Sequence, residues 1–152
     1  MSTDIQFGFG EDPVDLDRFL RNQPGLEVNV RPGVSGSYKV YTLGNLQYGG
    51  GLSFWDWGRD REIIEDKRPK WKKVVYAAAL KLSGQESFFI ERWFQLAFAL
   101  RDIYKPIIFN MENTPIKRKA YYPMFRDWVR SNEEAERDLR FVEGLRALIK
   151  KL

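Results

Sequence analysis

Residues 86–104 read ESFFIERWFQLAFALRDIY and carry the clearest structural signal in the 152-residue chain. Large apolar side chains recur on nearly every side of this segment, among them Phe89, Trp93, Phe94 and Leu100. A helix that is apolar almost all round is typical of the buried centre of a domain. We therefore predict that residues 86–104 form a central, buried helix.

The segments that precede this helix alternate between apolar and polar residues, as half-buried strands do. Residues 26–30 and 37–43 show this pattern, and residues 46–48 would complete a three-stranded meander after a turn at Gly44 and Asn45. The three glycines at 49–51 are expected to be flexible. Upstream, Asp12 and Pro13 predict the start of a helix that ends at residues 24–25, because Asp is a good N-cap and Pro suits the first helical position.

The remaining segments are predicted to be largely helical. Residues 71–82 contain three alanines and precede Gly84, which favours a helix, although residues 74–76 could also be β. A short strand is predicted at 106–109, and two helices near 121–130 and 133–151. With strands early, helices late and no repeat or linker, the chain is predicted to be a single α+β domain over 1–152, a small antiparallel sheet packed with several helices.

The residues that are missing limit the possible chemistry. The chain has no His and no Cys, which excludes a Ser-His-Asp triad, thiolate nucleophiles and metal sites with His or Cys ligands. Catalysis would have to use carboxylates, Lys, Arg, Tyr, hydroxyls or a hard cation held by oxygen atoms. Lys and Arg number 25 against 21 Asp and Glu, a net charge of +4 that hints at a polyanionic partner.

Export and membrane signals are not evident in the sequence. The N-terminus lacks a basic segment followed by an apolar run, and the longest apolar stretch, 93–100, is far shorter than the roughly 20 residues of a membrane span. We therefore expect a soluble, intracellular protein with no membrane partner.

Two basic segments are candidates for DNA binding. The first basic cluster has five cations and no acid within residues 67–73, with Trp71 among them; the second lies beside Tyr121 and Tyr122. Such clusters neutralise phosphates, and aromatic rings can pack on sugars or bases. Each cluster could also be an ordinary solvated surface. The predicted DNA-binding residues are Lys67, Arg68, Lys70, Lys72 and Lys73 in the first basic cluster, and Lys117, Arg118 and Lys119 in the second.

Several acidic residues precede the first basic cluster and suggest a divalent metal ion, since hard cations prefer oxygen ligands. They are Asp56, Asp60, Glu62, Glu65 and Asp66. The sequence Glu65-Asp66-Lys67 matches half of a restriction-nuclease signature, but that signature needs strands that this segment does not predict. The glycines at 49–51 before Asp56 faintly match a nucleotidyltransferase, but the second acid of that motif is absent. A salt-bridged surface segment is the alternative.

Glu86 has two possible roles. Ser83 and Glu86 match a capping box, in which each side chain accepts a hydrogen bond from the other's backbone amide. The same position at the first turn of a buried helix would hold a carboxylate rigidly and ionised, suited to binding a metal or orienting water. Nothing in the local sequence separates these readings.

The chain resembles the small nucleases of lipothrixviruses, filamentous double-stranded DNA viruses of acidophilic hot-spring archaea such as Acidianus. The resemblance is carried by residues 54–60 (FWDWGRD), 67–73 (KRPKWKK) and 83–89 (SGQESFF) and extends over the whole chain. It implies an α+β fold with a remotely nucleotidyltransferase-like topology, cleavage of linear double-stranded DNA, and an essential glutamate that falls at Glu86. It also implies a viral protein located in the cytoplasm of a thermophilic host cell.

Together these observations predict a metal-assisted deoxyribonuclease. Glu86 would bind a divalent cation, most simply Mg²⁺, or orient the attacking water, with Asp56 as a second metal ligand and Lys73 or Arg92 stabilising the transition state. No haem or nucleotide cofactor is expected. The alternatives are a non-catalytic DNA-binding or virion-associated protein, and a protein-interaction module that uses Trp55, Trp57 and Trp71 as an exposed aromatic patch.

Overall fold

A computed structural model of the chain describes residues 2–33, 36–45, 50–60, 62–64, 74–83, 87–109, 115–117, 119–120 and 123. The helices predicted near 121–130 and 133–151 lie outside these residues, except for Pro123. In the described part of the chain, no helix is both long and apolar enough to cross a bilayer.

The described residues form a six-stranded sheet in which every neighbouring pair of strands is antiparallel. Two helices, α1 (Leu16–Arg21) and α2 (Ser87–Tyr104), accompany it, so the predicted α+β class is confirmed. The order across the sheet is β2-β3-β4-β5-β1-β6. The strands are β1 (Ser2–Phe9), β2 (Glu27–Gly33), β3 (Gly36–Asn45), β4 (Gly50–Gly58), β5 (Tyr76–Ser83) and β6 (Ile107–Phe109).

The centre of the sheet differs most from the prediction. The helix predicted over 71–82 is wrong for residues 76–82, which belong to β5 and pair with β4 on one side and β1 on the other. Alanine favours a helix over most residues by only a few tenths of a kcal/mol. Pairing along both edges of β5 outweighs this preference, and Ala77, Ala78 and Ala79 are almost completely buried.

The meander also differs from the prediction at its third strand. The strands predicted at 26–30 and 37–43 are confirmed within β2 and β3, but β3 continues to Asn45 without the predicted turn. The strand predicted at 46–48 lies outside the described residues. The strand that pairs next to β3 is β4, which begins at Gly50 and includes glycines that were expected to be flexible. A Cβ atom on Gly51 would lie 2.3 Å from the carbonyl oxygen of Leu43, so close strand packing explains that glycine.

Helix α1 begins later than predicted. Asp15, not Asp12, is its N-cap; it has φ +62° and makes no side-chain capping hydrogen bond. Pro13 lies in the turn before the helix, where its carbonyl accepts the Leu16 N–H at 3.2 Å. Leu16 and Leu20 are buried, which fixes α1 against the sheet.

The helix predicted over 86–104 is confirmed from residue 87 by α2. It is not buried on every side, because Phe88 and Ile103 are 59% and 55% exposed. Its Trp93, Phe94 and Leu100 are at most 1% exposed. They pack, with α1, on one side of the sheet, which we call the helix face; it is formed by Ile5, Phe7, Phe9, Tyr41, Leu52, Phe54, Ala78, Leu80, Leu82 and Ile108. The predicted short strand at 106–109 is confirmed by β6.

The other side of the sheet, which we call the opposite face, carries a smaller apolar cluster. Residues 62–64 form a helical turn after β4, and Ile64 packs there with Val74, Ala77 and Phe109. Trp57 lies partly buried against this cluster. The cluster covers the end of the opposite face that lies near the β4–β5 connection.

Candidate functional site

The structure describes three of the ten predicted site residues: Asp56, Lys117 and Lys119. Predictions for the other seven fall outside the described residues; they are Glu86, Lys67, Arg68, Lys70, Lys72, Lys73 and Arg118. Asp56, together with the described residues that adjoin Glu86 and the two basic clusters in sequence, defines the geometry of the candidate site.

Asp56 is a buried carboxylate on the helix face of β4, with 9% of its surface exposed. Its Oδ1 accepts hydrogen bonds from the Tyr76 hydroxyl at 2.5 Å and from the Gly58 N–H at 3.1 Å. The second bond depends on a β-bulge between Asp56 and Gly58, where Gly58 adopts φ +63°. A bulge bends the strand locally. Here it turns a backbone amide back towards the carboxylate.

The electrostatic surroundings of Asp56 raise its pKa above the usual value. Burial is the main cause, because it disfavours the charged carboxylate. The hydrogen bonds from Tyr76 and Gly58 and the nearby charge of Lys39 act in the opposite direction and lower the pKa. Asp56 is thus poorly solvated, and its hydrogen-bond donors are two groups of the protein, the Tyr76 hydroxyl and the Gly58 N–H.

A second carboxylate lies next to Asp56. Asp17 on α1 accepts hydrogen bonds from the Tyr41 hydroxyl at 2.5 Å and from Arg21 Nε at 2.9 Å. Lys39 Nζ, whose residue pairs with Asp56 across β3 and β4, lies 3.4 Å from an Asp17 oxygen. The hydrogen bond from Tyr41 is the main cause of a lowered pKa at Asp17. We call Asp17, Lys39, Tyr41, Asp56 and Tyr76 the carboxylate–tyrosine cluster.

Sequence reasoning did not find this cluster. Asp17 lies in the predicted first helix, Tyr41 in the predicted strand 37–43 and Tyr76 in the segment 71–82, but none of the three was given a role. A usable signal existed, since a buried Tyr hydroxyl needs a hydrogen-bond partner. Lys39 and Asp56 become neighbours only through strand register, which the sequence does not reveal.

The contacts of the cluster suit a structural role. They join α1 to β3 and β4 to β5 through half-buried hydrogen bonds, each worth about 0.5–1.5 kcal/mol, more where a charged group takes part. A hard cation needs several oxygen ligands. Among the residues that the structure describes, no three acidic side chains are grouped to provide them. The role of Asp56 as a metal ligand stays a prediction; Tyr76 and Gly58 both donate to Oδ1, so it is Oδ2 that would bind a cation with these hydrogen bonds in place.

The described neighbours of Glu86 lie far from Asp56. Ser83 ends β5 and pairs with Gly51 of β4, whereas Asp56 pairs with Ala78. Ser83 lies five positions after Ala78 along β5, a distance of roughly 17 Å at 3.3–3.4 Å per residue. Asp56 and the connection from β5 to α2 are therefore at opposite ends of the central strand pair.

The described neighbours of both basic clusters lie at the Asp56 end. Ile64 and Val74, which bracket the first basic cluster in sequence, pack together beside Ala77. Next to the second basic cluster, the Ile116 N–H donates to the Ile108 carbonyl of β6 at 2.8 Å. Lys117 and Lys119 are exposed. Across β1 and β5, Ile108 is in register with Asp56, three strands or roughly 14 Å away.

Asp60 and Arg92, two other residues singled out from the sequence, have local partners. Asp60 accepts hydrogen bonds from the N–H groups of Glu62 and Ile63 and so caps the helical turn after β4. This turn is not a strand, so the described part of the acidic segment does not fit the restriction-nuclease pattern. Arg92 on α2 donates to the side chain of Gln95 at 3.2 Å.

The proposed aromatic patch is not a fully exposed one. Trp55 and Trp57 both lie half-buried in β4, and Trp71 is outside the described residues. Trp57 packs on the apolar cluster around Ile64, whereas Trp55 contacts Tyr38 of the neighbouring strand.

Comparisons of the chain with protein-family models, with curated proteins and with solved structures found no match.

Proposed function

We propose that this chain is a nuclease that hydrolyses phosphodiester bonds of linear double-stranded DNA with the help of a divalent cation. The proposal depends most on where residues 84–86 stand in the chain. They connect β5, a central strand of the sheet, to the first turn of α2, a helix whose middle, from Trp93 to Leu100, is packed against the sheet.

This position suits a catalytic carboxylate. The described elements on either side, β5 and α2, both pack in the core, and side chains supported by such elements can place a metal ion or water precisely. The first turn of a helix also presents unpaired backbone N–H groups that attract phosphate oxygens. Glu86 is therefore the residue to which we assign metal binding or water activation.

The basic clusters would supply the affinity for DNA. Their described neighbours lie at the Asp56 end of the sheet, roughly 17 Å from the level of Ser83 along β5. Successive base pairs of a duplex are about 3.4 Å apart, so about five base pairs span this distance. We propose that the duplex runs along the strand direction, with the basic clusters binding its backbone and Glu86 acting further along.

The proposal also assigns the group that stabilises the transition state, the cation, the location and the topology. Lys73 or Arg92 would stabilise the charge that develops on the phosphate, and Mg²⁺ is the simplest cation for an all-oxygen site. Following the resemblance to lipothrixvirus nucleases, the proposed location of the protein is a virus-infected archaeal cell. A nucleotidyltransferase-like topology is part of the same proposal.

A cleavage assay tests this function. Purified protein is incubated with linear and closed circular duplexes in the presence of Mg²⁺, Mn²⁺ or EDTA, and the products are separated on a gel. We expect linear duplex to be cut with a divalent cation and to stay intact with EDTA. Intact linear duplex under every metal condition would contradict the proposal.

The alternative is a DNA-binding or virion-associated protein without catalytic activity. It is favoured by the hydrogen bonds from Tyr76 and Gly58 to Asp56 Oδ1, which give this carboxylate a role in the fold. It predicts duplex binding that weakens with salt and is not followed by cleavage. Measuring binding and cleavage on the same preparation separates the two functions.

A further inference from the structure

The opposite face of the sheet has two unlike ends. One end is covered by the apolar cluster of Ile64, Val74, Ala77 and Phe109. Away from it, four side chains from four neighbouring strands form what we call the aromatic strip: Arg31 of β2, Tyr38 of β3, Trp55 of β4 and Lys81 of β5. Arg31 is exposed and the other three are half-buried.

The strip is held together by ring contacts. Tyr38 and Trp55 stack with centroids 5.7 Å apart and an interplanar angle of 21°. Lys81 Nζ lies 4.5 Å, and Arg31 Cζ 5.3 Å, from the centroid of the Trp55 ring. The indole N–H donates to Ser53 Oγ at 2.9 Å, which fixes the orientation of the ring. Two aromatic rings are thus preorganised between two cations.

We propose that the aromatic strip binds unpaired nucleotides of a single-stranded nucleic acid. Aromatic rings on the face of a sheet are a recurrent platform for bases, because every base offers a π-face for stacking. Cations beside the rings complement the phosphates that connect successive bases. This binding is separate from cleavage and would stand even if the chain cuts no DNA.

The charge distribution favours a polyanion over an apolar peptide. The cations of the strip lie directly at the Trp55 ring, whereas Asp4 and Glu27 lie beyond the two rings, Asp4 directly opposite Lys81. Asp4 pairs with Lys81 across β1 and β5, and Glu27 lies four residues before Arg31 on β2. A protein segment that docks through apolar contacts would instead seek a surface without two cations beside its rings.

Fluorescence anisotropy with a labelled 12-nucleotide oligothymidine tests the proposal, with EDTA present to prevent cleavage. We expect Tyr38→Leu and Trp55→Leu each to weaken binding at least about 5-fold, since stacking contributes about 1–3 kcal/mol per base. Tyr38→Phe keeps the ring and should keep the affinity. Arg31→Ala should weaken binding and reduce its salt dependence.

Matched controls lie on α1 and α2. Arg18→Ala removes an exposed cation of α1, and Phe88→Leu removes a ring of α2 that is 59% exposed; neither should change the affinity. An abasic strand of the same length should bind more weakly than oligothymidine. Equal binding of the two strands, or unchanged affinity in a folded Tyr38→Leu variant, would overturn the proposal. Should Trp55→Leu fail to fold, Tyr38→Leu and the abasic strand still decide it.

Discussion

The β4–β5 strand pair has an acidic residue at or next to each of its two ends, and the two residues differ in their place in the fold. At one end, Asp56 is buried and receives hydrogen bonds from Tyr76 and Gly58. At the other end, β5 stops at Ser83 and the chain passes through Glu86 into α2. The difference shows that an acidic residue near a basic segment in sequence can stabilise the fold through its hydrogen bonds rather than take part in a reaction. The candidate for chemistry is instead the acid that stands between two rigid elements.

The largest expected effect concerns the first basic cluster. If Lys70, Lys72 and Lys73 each contact a phosphate, replacing all three with Ala should weaken duplex binding by about 10³-fold at 50 mM salt. The slope of log affinity against log salt should become shallower by about 2.7. Binding titrations over a range of salt concentrations measure both. An unchanged slope would remove this cluster from the DNA-binding surface; Arg18→Ala, on α1, is the control.

The next effect concerns the Asp56 end. Asp56→Ala leaves the Tyr76 hydroxyl and the Gly58 N–H without their acceptor, so we expect the free energy of unfolding to fall by about 1–3 kcal/mol. Tyr76→Phe, which removes one donor, should cost less. Urea unfolding measures both variants. A fully stable Asp56→Ala variant would mean that this carboxylate does not serve the fold.

Two glycines allow the two ends to be compared by substitution: Gly44, which lies close to the first turn of α2, and Gly58, which lies next to Asp56. A Cβ atom on Gly44, which has φ +89°, would lie 2.6 Å from the Phe89 ring in the first turn of α2. Gly58 has φ +63°, but the nearest atom to a Cβ there is 3.9 Å away. Both substitutions to Ala strain the backbone, by about 1–2 kcal/mol. Gly44→Ala should be the more destabilising in urea unfolding.

The rate of DNA cleavage should also differ between the Gly44→Ala and Gly58→Ala variants. Because Gly44→Ala displaces the start of α2, we expect it to slow cleavage per folded molecule, and Gly58→Ala to leave the rate within about twofold. Equal cleavage rates would show that the first turn of α2 does not position the reacting groups.

The smallest effect is a pH dependence of opposite sign at the two carboxylates. The pKa of Asp17 is lowered, so its stabilisation is present above the unfolded pKa near 3.9 and is lost as pH falls through the folded value. The pKa of Asp56 is raised, so the folded state gains stability as pH falls through its folded pKa towards the unfolded one.

Urea unfolding between pH 7 and pH 3 measures these contributions. The stability advantage of the wild type over Asp17→Asn should shrink as pH falls, whereas its stability relative to Asp56→Asn should rise. The same trend for both variants would contradict the assigned hydrogen bonds and burial.

Periodicity was enough to predict α2, β2, β3 and β6, because each carries its own apolar pattern. It was also present in β1, where Ile5, Phe7 and Phe9 alternate with polar or small residues, but no strand was assigned there. β5 could not be predicted in the same way, since its alanines favour a helix in isolation and become a strand only between β1 and β4. Local preference failed where pairing across long sequence separations decides the structure.

The candidate site was less predictable than the fold. Asp56 was identified as a polar residue of interest, but its partners Tyr76 and Lys39 come from other strands and depend on register. The aromatic strip likewise joins residues from 31 to 81 through the sheet. Spacing along the chain cannot reveal such groups, because strand pairing brings their members together.

The most direct test is the single-turnover rate at which Glu86→Gln and Asp56→Asn cut linear duplex with Mg²⁺, compared with the wild type under conditions where all three are folded. Glu27→Gln, an exposed acid on β2, serves as control. We expect Glu86→Gln to slow cleavage by at least about 100-fold, the scale of a positioned acid or base, and Asp56→Asn to keep most of the rate. Full activity in Glu86→Gln, or a loss confined to Asp56→Asn, would contradict the account.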